Sequence, residues 1–171
     1  QVCDPNRSLS ALDHIMNDID DRVVQLYMLI SYDVVRKCNL PFDFIEFEGL
    51  VYDHRDRFEG FLTRYREFYQ AFERTISRGI EEGVFNDYLV DEQVVTILSI
   101  TEGIQHHNHA KLRGNLILVS CDYEVKDHDP EAIGHMAART IIPSMLATPQ
   151  SLDEIRSKAI TILEKLGLPR A

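Results

Sequence analysis

The stretch from Phe58 to Glu82 constrains the fold of this chain more than any other part of its sequence. Its apolar residues recur at steps of three and four, which places them on one stripe of a helix about seven turns long. These residues are Phe58, Phe61, Leu62, Tyr65, Phe68, Tyr69, Phe72, Ile76 and Ile80. Gly83, followed by Val84 and Phe85, is typical of a left-handed C-cap with its hydrophobic contact. The pattern predicts a long helix with one buried face.

Upstream of this segment the sequence predicts three more helices. Ser8 or Ser10 can cap a first helix, whose apolar residues are Leu12, Ile15, Met16 and Ile19. Residues 22–37 are apolar on almost all sides; their β-branched content would suit a strand, but the length favours a buried central helix. Pro41 ends it, because the residue before a proline is pushed out of helical geometry. A shorter helix is expected at 44–53.

Downstream, a helix is expected to open at Asp91, with an acidic first turn, and to stop near Gly114. It is apolar on most sides and should be buried, through Val94, Val95, Ile97, Leu98, Ile100 and Ile104. The pattern over 115–126 is ambiguous between helix, strand and packed loop.

Two more helices complete the predicted fold. Asp129 is an N-cap with Pro130 at the first helical position, which predicts a helix over 130–147 that Pro143 kinks. The last helix begins at Ser151, with Glu154 as in a capping box, and ends at Gly167. Together the segments predict an all-α bundle of six to seven helices in one domain, 1–171, a length sufficient for a substantial core.

Composition narrows the cellular setting. No apolar run is long enough to cross a membrane, and the first ten residues carry no apolar signal region. Because Cys3, Cys38 and Cys121 are widely separated, they favour a reducing compartment and ordinary small-residue roles over disulfides. We therefore expect a cytoplasmic protein. Gln1 is not an initiator Met, so the chain could have been cut from something longer.

Charge argues against direct nucleic-acid binding. The formal net charge is −10, and the 18 Lys and Arg residues are scattered rather than clustered. Such a chain repels a phosphate backbone. This segment alone is not expected to bind DNA, although a basic domain joined upstream could do so.

The predicted long helix ends in Ile76-x-x-Gly79-x-x-x-Gly83-x-Phe85, an acidic residue opens the next helix, and Gly103 lies in its middle. With this motif, residues 64–103 resemble the TetR family of bacterial regulators. The family consists of dimeric repressors with an N-terminal helix-turn-helix head and a larger helical domain that binds a ligand and dimerises. Nothing in this chain matches the head. The resemblance therefore implies the C-terminal domain of such a regulator, with the head removed, or else a headless relative.

The same resemblance implies the partners. It predicts a small-molecule effector, a homodimer through the helices 91–113 and 131–147, and DNA contact only through an N-terminal head. Small residues in the second helix agree with a dimer seam, because they let helices approach closely; they are Ala132, Gly134, Ala137, Ala138 and Ala147. The alternative is packing within one chain against the helix 151–166.

A polar stripe interrupts the helix 91–113. Steps of four and three put Glu102, His106, His109 and Arg113 on one side, and buried polar groups need partners. Three interpretations remain open. The stripe is a hydrogen-bonded seam, the polar wall of a ligand pocket, or a metal site in which Glu102 and His106 are joined by Glu131 and His135 at the same spacing.

Aromatic residues supply the predicted apolar lining, with plain core packing as the alternative. The residues expected to line a ligand site are Tyr27, Tyr65, Phe68, Tyr69, Phe72, Glu102, His106 and His109. No enzyme motif occurs, so neither catalysis nor a cofactor is expected. The leading hypothesis is the sensor domain of a repressor that a small, mainly apolar ligand releases from DNA. Its rivals are a headless carrier of an apolar ligand and a metal-binding helical protein.

Overall fold

A computed structural model describes residues 5–114 and 129–166 of the chain. These ranges form seven α-helices and one short 3-10 helix. The helices are α1 (Pro5–Asn17), α2 (Arg22–Cys38), α3 (Phe44–Asp53), the 3-10 helix Arg55–Arg57, α4 (Glu59–Glu81), α5 (Val90–Leu112), α6 (Pro130–Met145) and α7 (Leu152–Leu166). The predicted all-α bundle is thereby confirmed. The ambiguous segment 115–126, the helix end at Gly167, and Cys3 and Cys121 lie outside the described residues.

Helix α2 is the centre of the bundle. It packs against α1, α4, α5, α6 and α7, which explains why its sequence is apolar on almost all sides. Asp21 begins the helix, since its carboxylate accepts the N–H groups of Val23 and Val24 at 3.1 and 3.2 Å. The predicted buried central helix is correct, and it ends at Cys38, before Pro41.

The end of α4 shows why the glycines of its motif are there. Gly83 has φ +70°, a left-handed conformation that glycine adopts without steric penalty. The carbonyl of Gly79 accepts the N–H groups of both Val84 and Phe85, at 2.8 and 3.0 Å. This folds the buried Phe85 ring back onto Gly79, where a Cβ atom would lie 2.1 Å from the ring.

Two predictions about helix surroundings were wrong. The first helix begins at Pro5 rather than at Ser8 or Ser10, with proline in the first turn, where its missing N–H costs nothing. Burial of α5 on most sides was also wrong, because Val95 is 55% exposed and Ser99 and Gly103 are exposed as well. Neighbouring helices α2, α3, α4 and α6 leave this side of α5 open.

The small residues of α6 face the inside of the bundle. Gly134, Ala137 and Ala138 are buried, and a Cβ on Gly134 would come within 3.2 Å of the carbonyl oxygen of Ser31. These small residues therefore let α6 approach α2, and not α7, which was the alternative predicted from the sequence. Because they are buried, they do not form an exposed surface for a dimer. Asp129 caps α6 as predicted, accepting the N–H of Ala132 at 2.7 Å. None of the described helices is both long and apolar enough to cross a membrane.

Substituting Gly79 by alanine tests the packing at the end of α4. We expect Gly79→Ala to lower the free energy of unfolding by about 1–3 kcal/mol, because the new methyl group overlaps the buried Phe85 ring. Gly60→Ala, on the same helix, is the matched control, since nothing lies within 4 Å of a Cβ there and alanine inside a helix is better than glycine by up to about 0.5–1 kcal/mol. Urea unfolding of both variants measures the difference. Equal stability of the two would contradict the assigned contact.

Candidate functional site

A buried lysine joins α2 to α5. The Nζ atom of Lys37 lies 2.8 Å from the carboxylate of Asp33, one turn earlier on α2. It also donates to Glu102 at 3.3 Å and to the hydroxyl of Thr101 at 3.4 Å, both on α5. Lys37 and Asp33 are only 4% and 5% exposed. An ammonium group has three N–H donors, so these three contacts satisfy it.

Tyr65 brings α4 into the same arrangement. Its hydroxyl donates to Oε1 of Glu102 at 3.0 Å, the oxygen that also accepts from Lys37. Burial raises the pKa of Tyr65, and the neighbouring Glu102 carboxylate raises it further, so the hydroxyl keeps its proton. Thr101 in turn donates to Asp33 at 2.7 Å. We call these five residues the Lys37 cluster.

Aromatic rings cover one side of the Lys37 cluster. The ring of Phe44, on α3, lies 4.7 Å from Nζ of Lys37, a cation–π distance. Tyr65 is stacked on Phe44 and on Phe61, with ring centroids 6.2 and 5.9 Å apart. The ring of Phe47 meets Phe61 edge-on at 5.1 Å. Together with Phe42 and Phe58 these rings form a continuous aromatic cluster between α3 and α4.

The start of α3 is tied to α5 by two side chains. Gln105, buried on α5, accepts the N–H of Phe44 at 3.0 Å and donates to the carbonyl of Phe42 at 3.1 Å. Asp43 caps α3, and its second oxygen lies 2.6 Å from Nδ1 of His106. Burial would raise the pKa of Asp43, but the N–H of Glu46 and the His106 ring outweigh it and lower the pKa.

Glu48 lies one turn after Phe44 on α3 and is half-buried. Within the described part of the chain its carboxylate makes no hydrogen bond or ion pair. Burial raises its pKa, and Glu102 raises it further while Lys37 opposes the change. Glu48 therefore adds a third carboxylate to the surroundings of Lys37.

Of the residues predicted to line a site, Tyr65 and Glu102 meet in the Lys37 cluster. Phe68 and Phe72 are buried in the core, where their rings meet edge-on at 5.1 Å. Tyr69 lies half-buried elsewhere on α4.

His106 and His109, the two histidines of α5 predicted to line the site, also lie in different surroundings. His106 turns to Asp43 at the start of α3 and has a half-exposed side chain. His109 is 9% exposed, and its Nε2 atom is buried without a hydrogen-bond partner. The polar stripe of α5 is therefore divided between the Lys37 cluster, the cap of α3 and a buried ring. Much of it is a hydrogen-bonded seam.

Tyr27 belongs to a different contact, between α2 and α6. Its hydroxyl lies 3.1 Å from Nδ1 of His135. The neighbouring Glu131 pairs with Arg156 on α7 at 3.4 Å. Both acid–histidine pairs of the metal interpretation thus have other partners, and the described ranges contain no group of three metal-binding side chains.

Sequence reasoning missed most of the residues around Lys37. Asp33 and Lys37 carried a usable signal, because opposite charges four apart on an apolar helix predict a buried ion pair. Gln105 carried none, since its partners are backbone groups more than sixty residues away. Asp43 carried only the local signal of an N-cap before the helix at 44–53, because its partner His106 is 63 residues away.

Comparison of the chain with family models, curated protein sequences and solved structures finds no match. The proposed function therefore rests on the chemistry of the site. Carboxylates, a hydroxyl and π faces at the border of a bundle can orient a small molecule.

Removing the Lys37 ammonium should destabilise the bundle strongly. Lys37→Met leaves the buried carboxylate of Asp33 and the partly buried carboxylate of Glu102 without their shared cation, so we expect the free energy of unfolding to fall by about 3–5 kcal/mol. Adding Asp33→Asn and Glu102→Gln to Lys37→Met should restore part of the lost free energy of unfolding. The control is Lys158→Met, which breaks a surface ion pair with Asp21 and should lower it by less than about 1 kcal/mol. Similar losses in the two single variants would refute the buried ion pair.

The surroundings of His135 predict a pH effect on stability. Burial, followed by the nearby Arg156 and Arg139, lowers the pKa of His135 below its usual 6.5, so the folded state prefers the neutral ring. The neutral His135 ring makes its full contribution to stability above about pH 6.5, and this contribution is lost as the pH falls below that value. Chemical denaturation measures the free energy of unfolding. We expect it to fall less between about pH 7.5 and 5.5 in His135→Gln than in the unmodified chain. His107→Gln, at an exposed position on α5, controls for removal of a histidine.

Proposed function

We propose that this chain is the effector-sensing and dimerisation domain of a TetR-type transcriptional regulator. The observation that supports it best is the Tyr65–Glu102 hydrogen bond, held by Lys37 beside the aromatic cluster. The arrangement combines apolar area with a few fixed polar groups, as small-molecule sites do. Rings of α3 and α4 supply the area, and Glu102 orients the ligand.

The position of α3 makes it the part of the site that a ligand moves. It contacts the rest of the bundle through its tie to α5 and through the rings of Phe44 and Phe47. A ligand between α3 and α4 therefore competes with ring–ring contacts and transmits the change to α5 through Gln105. Only a difference in affinity between the two arrangements shifts the population.

Helix α5 links the ligand site to the proposed dimer. Gln105 faces inward, Glu102 lies at the border of the buried side, and Ser99 and Gly103 lie on the open side of the same helix. We infer that two copies meet through α5 and the exposed residues of α6, within the segments 91–113 and 131–147. A change in the position of α5 then changes the distance between two DNA-binding heads, which must match successive major grooves. With a net charge of −10, this chain leaves DNA contact to such heads.

Native mass spectrometry of the purified chain tests the proposal. We expect a species of twice 19.8 kDa that retains a small organic molecule. Ser99→Arg should give monomers, because a charged side chain is buried in the middle of the interface. Ser157→Arg, an exposed position on α7, is the control and should leave the dimer intact.

A monomeric unmodified chain would contradict the dimeric regulator. A dimer that holds a ligand is also compatible with a carrier without a DNA-binding head. Operator binding by the full-length protein separates the two, because the ligand should weaken it for the regulator. No response to the ligand would reject the regulator in favour of the carrier.

A further inference from the structure

We infer that the ligand of this site is an organic cation, an ammonium group bound between Glu48 and Glu102 with its hydrocarbon part on the rings of Phe61 and Tyr65. The inference rests on the proposed function, since it names the ligand class of the same site. It replaces a mainly apolar ligand by one that is apolar at one end and positively charged at the other.

Charge balance is the first argument. Asp33, Glu102 and Glu48 present three carboxylates to the single ammonium of Lys37, which leaves two formal negative charges between α2, α3 and α5. Lys37 has no donor to spare, because its three N–H groups face Asp33, Glu102 and Thr101. Half-buried negative charge without a partner is unfavourable, and a ligand cation removes that penalty.

Unused acceptor atoms give the second argument. Both hydrogen bonds to Glu102, from Lys37 and from Tyr65, go to Oε1, and Oε2 receives none from the described residues. The side chain of Glu102 is 16% exposed, so this oxygen can be reached from outside the core. Glu48 likewise makes no hydrogen bond or ion pair with the described residues. Two free carboxylate acceptors match the several N–H donors of a protonated amine.

Helix geometry places Glu48 beside the rings. Phe44, Phe47, Glu48 and Val51 follow at steps of three, one and three, so they share one side of α3. Phe44 and Phe47 contact Phe61 on that side. The raised pKa of Glu48, caused by burial and then by Glu102, agrees with this position. Glu48 and Glu102 thus approach the aromatic cluster from α3 and from α5.

The rings themselves favour a cation. The ring of Phe44 already contacts one ammonium group, since Nζ of Lys37 lies 4.7 Å from its centroid. Tyr65 stacks on Phe44 and Phe61 stacks on Tyr65, so the three rings form a row that begins beside Lys37. Aromatic faces attract cations more strongly where water is excluded. A carboxylate ligand would meet two like charges here, and a neutral ligand would leave Glu48 uncompensated.

A matched series of ligands tests the charge. Isothermal titration of the full chain with 3-phenylpropylammonium, 3-phenylpropanol and 3-phenylpropionate varies the charge on nearly the same skeleton. We expect the ammonium compound to bind at least about tenfold more tightly than the alcohol, because it gains an ion pair and a cation–π contact. The carboxylate should not bind.

Glu48→Gln tests the residue. It should weaken binding of the ammonium about tenfold and leave binding of the alcohol unchanged, since only the charge pair is lost. Glu46→Gln is the control on the same helix, because that side chain is 71% exposed and only reaches Arg113 at 4.0 Å. Circular dichroism of both variants verifies the fold.

Two results would overturn the inference. If the alcohol binds as tightly as the ammonium, or if Glu48→Gln and Glu46→Gln behave alike, the site takes a neutral ligand, and the proposed sensing function survives. If none of the three compounds binds, the cation site is rejected, and the dimer mass and operator response decide the proposed function separately.

Discussion

The buried ammonium of Lys37 is the constraint on which the arrangement of the other helices depends. An apolar face is non-directional and tolerates sliding, whereas a buried charge has to find its partners at fixed distances. Lys37 extends from α2 and meets Thr101 and Glu102 on α5, and Glu102 in turn holds Tyr65 on α4. Moving α5 by a single residue would remove both of its contacts at once. The ion pair therefore specifies how α2, α4 and α5 are rotated against one another.

Helix α5 then divides its surface between two tasks. Its inner side carries the Gln105 amide that holds the start of α3, Glu102 lies at the border of that side, and Ser99 and Gly103 on the outer side are exposed. A site and an exposed surface on adjoining sides of one rigid helix are coupled by geometry, because the helix moves as a unit. In the proposed sensing function, α3 is the side of the site that a ligand displaces, because it has fewer neighbouring helices than α2 or α5. This combination is what makes a sensor domain a more economical interpretation than a rigid structural bundle.

The motif at the end of α4 shows what local sequence can determine. A single tight turn accounts for Gly79, Gly83 and Phe85: a left-handed residue stops the helix and a ring folds back over a position with no side chain. The same holds for Asp129 before Pro130 and for the apolar stripe of α4. Local reasoning failed where neighbours intervene. Val95 looked like core, but none of the helices in 5–114 and 129–166 covers its side of α5. The small residues of α6 looked like an open seam, but they pack against α2.

The sequence by itself thus determined the helices, most of their ends and the buried side of most of them, because hydrophobic period, caps and turn residues act within a few positions of each other. Tertiary structure alone decided which polar residues meet. Lys37 and Glu102 are 65 residues apart, and Asp43 and His106 are 63 apart. Periodicity shows that such residues lie on the same side as core positions, but not which neighbouring helix they face. That choice depends on the packing of the whole bundle, and so did the composition of the site.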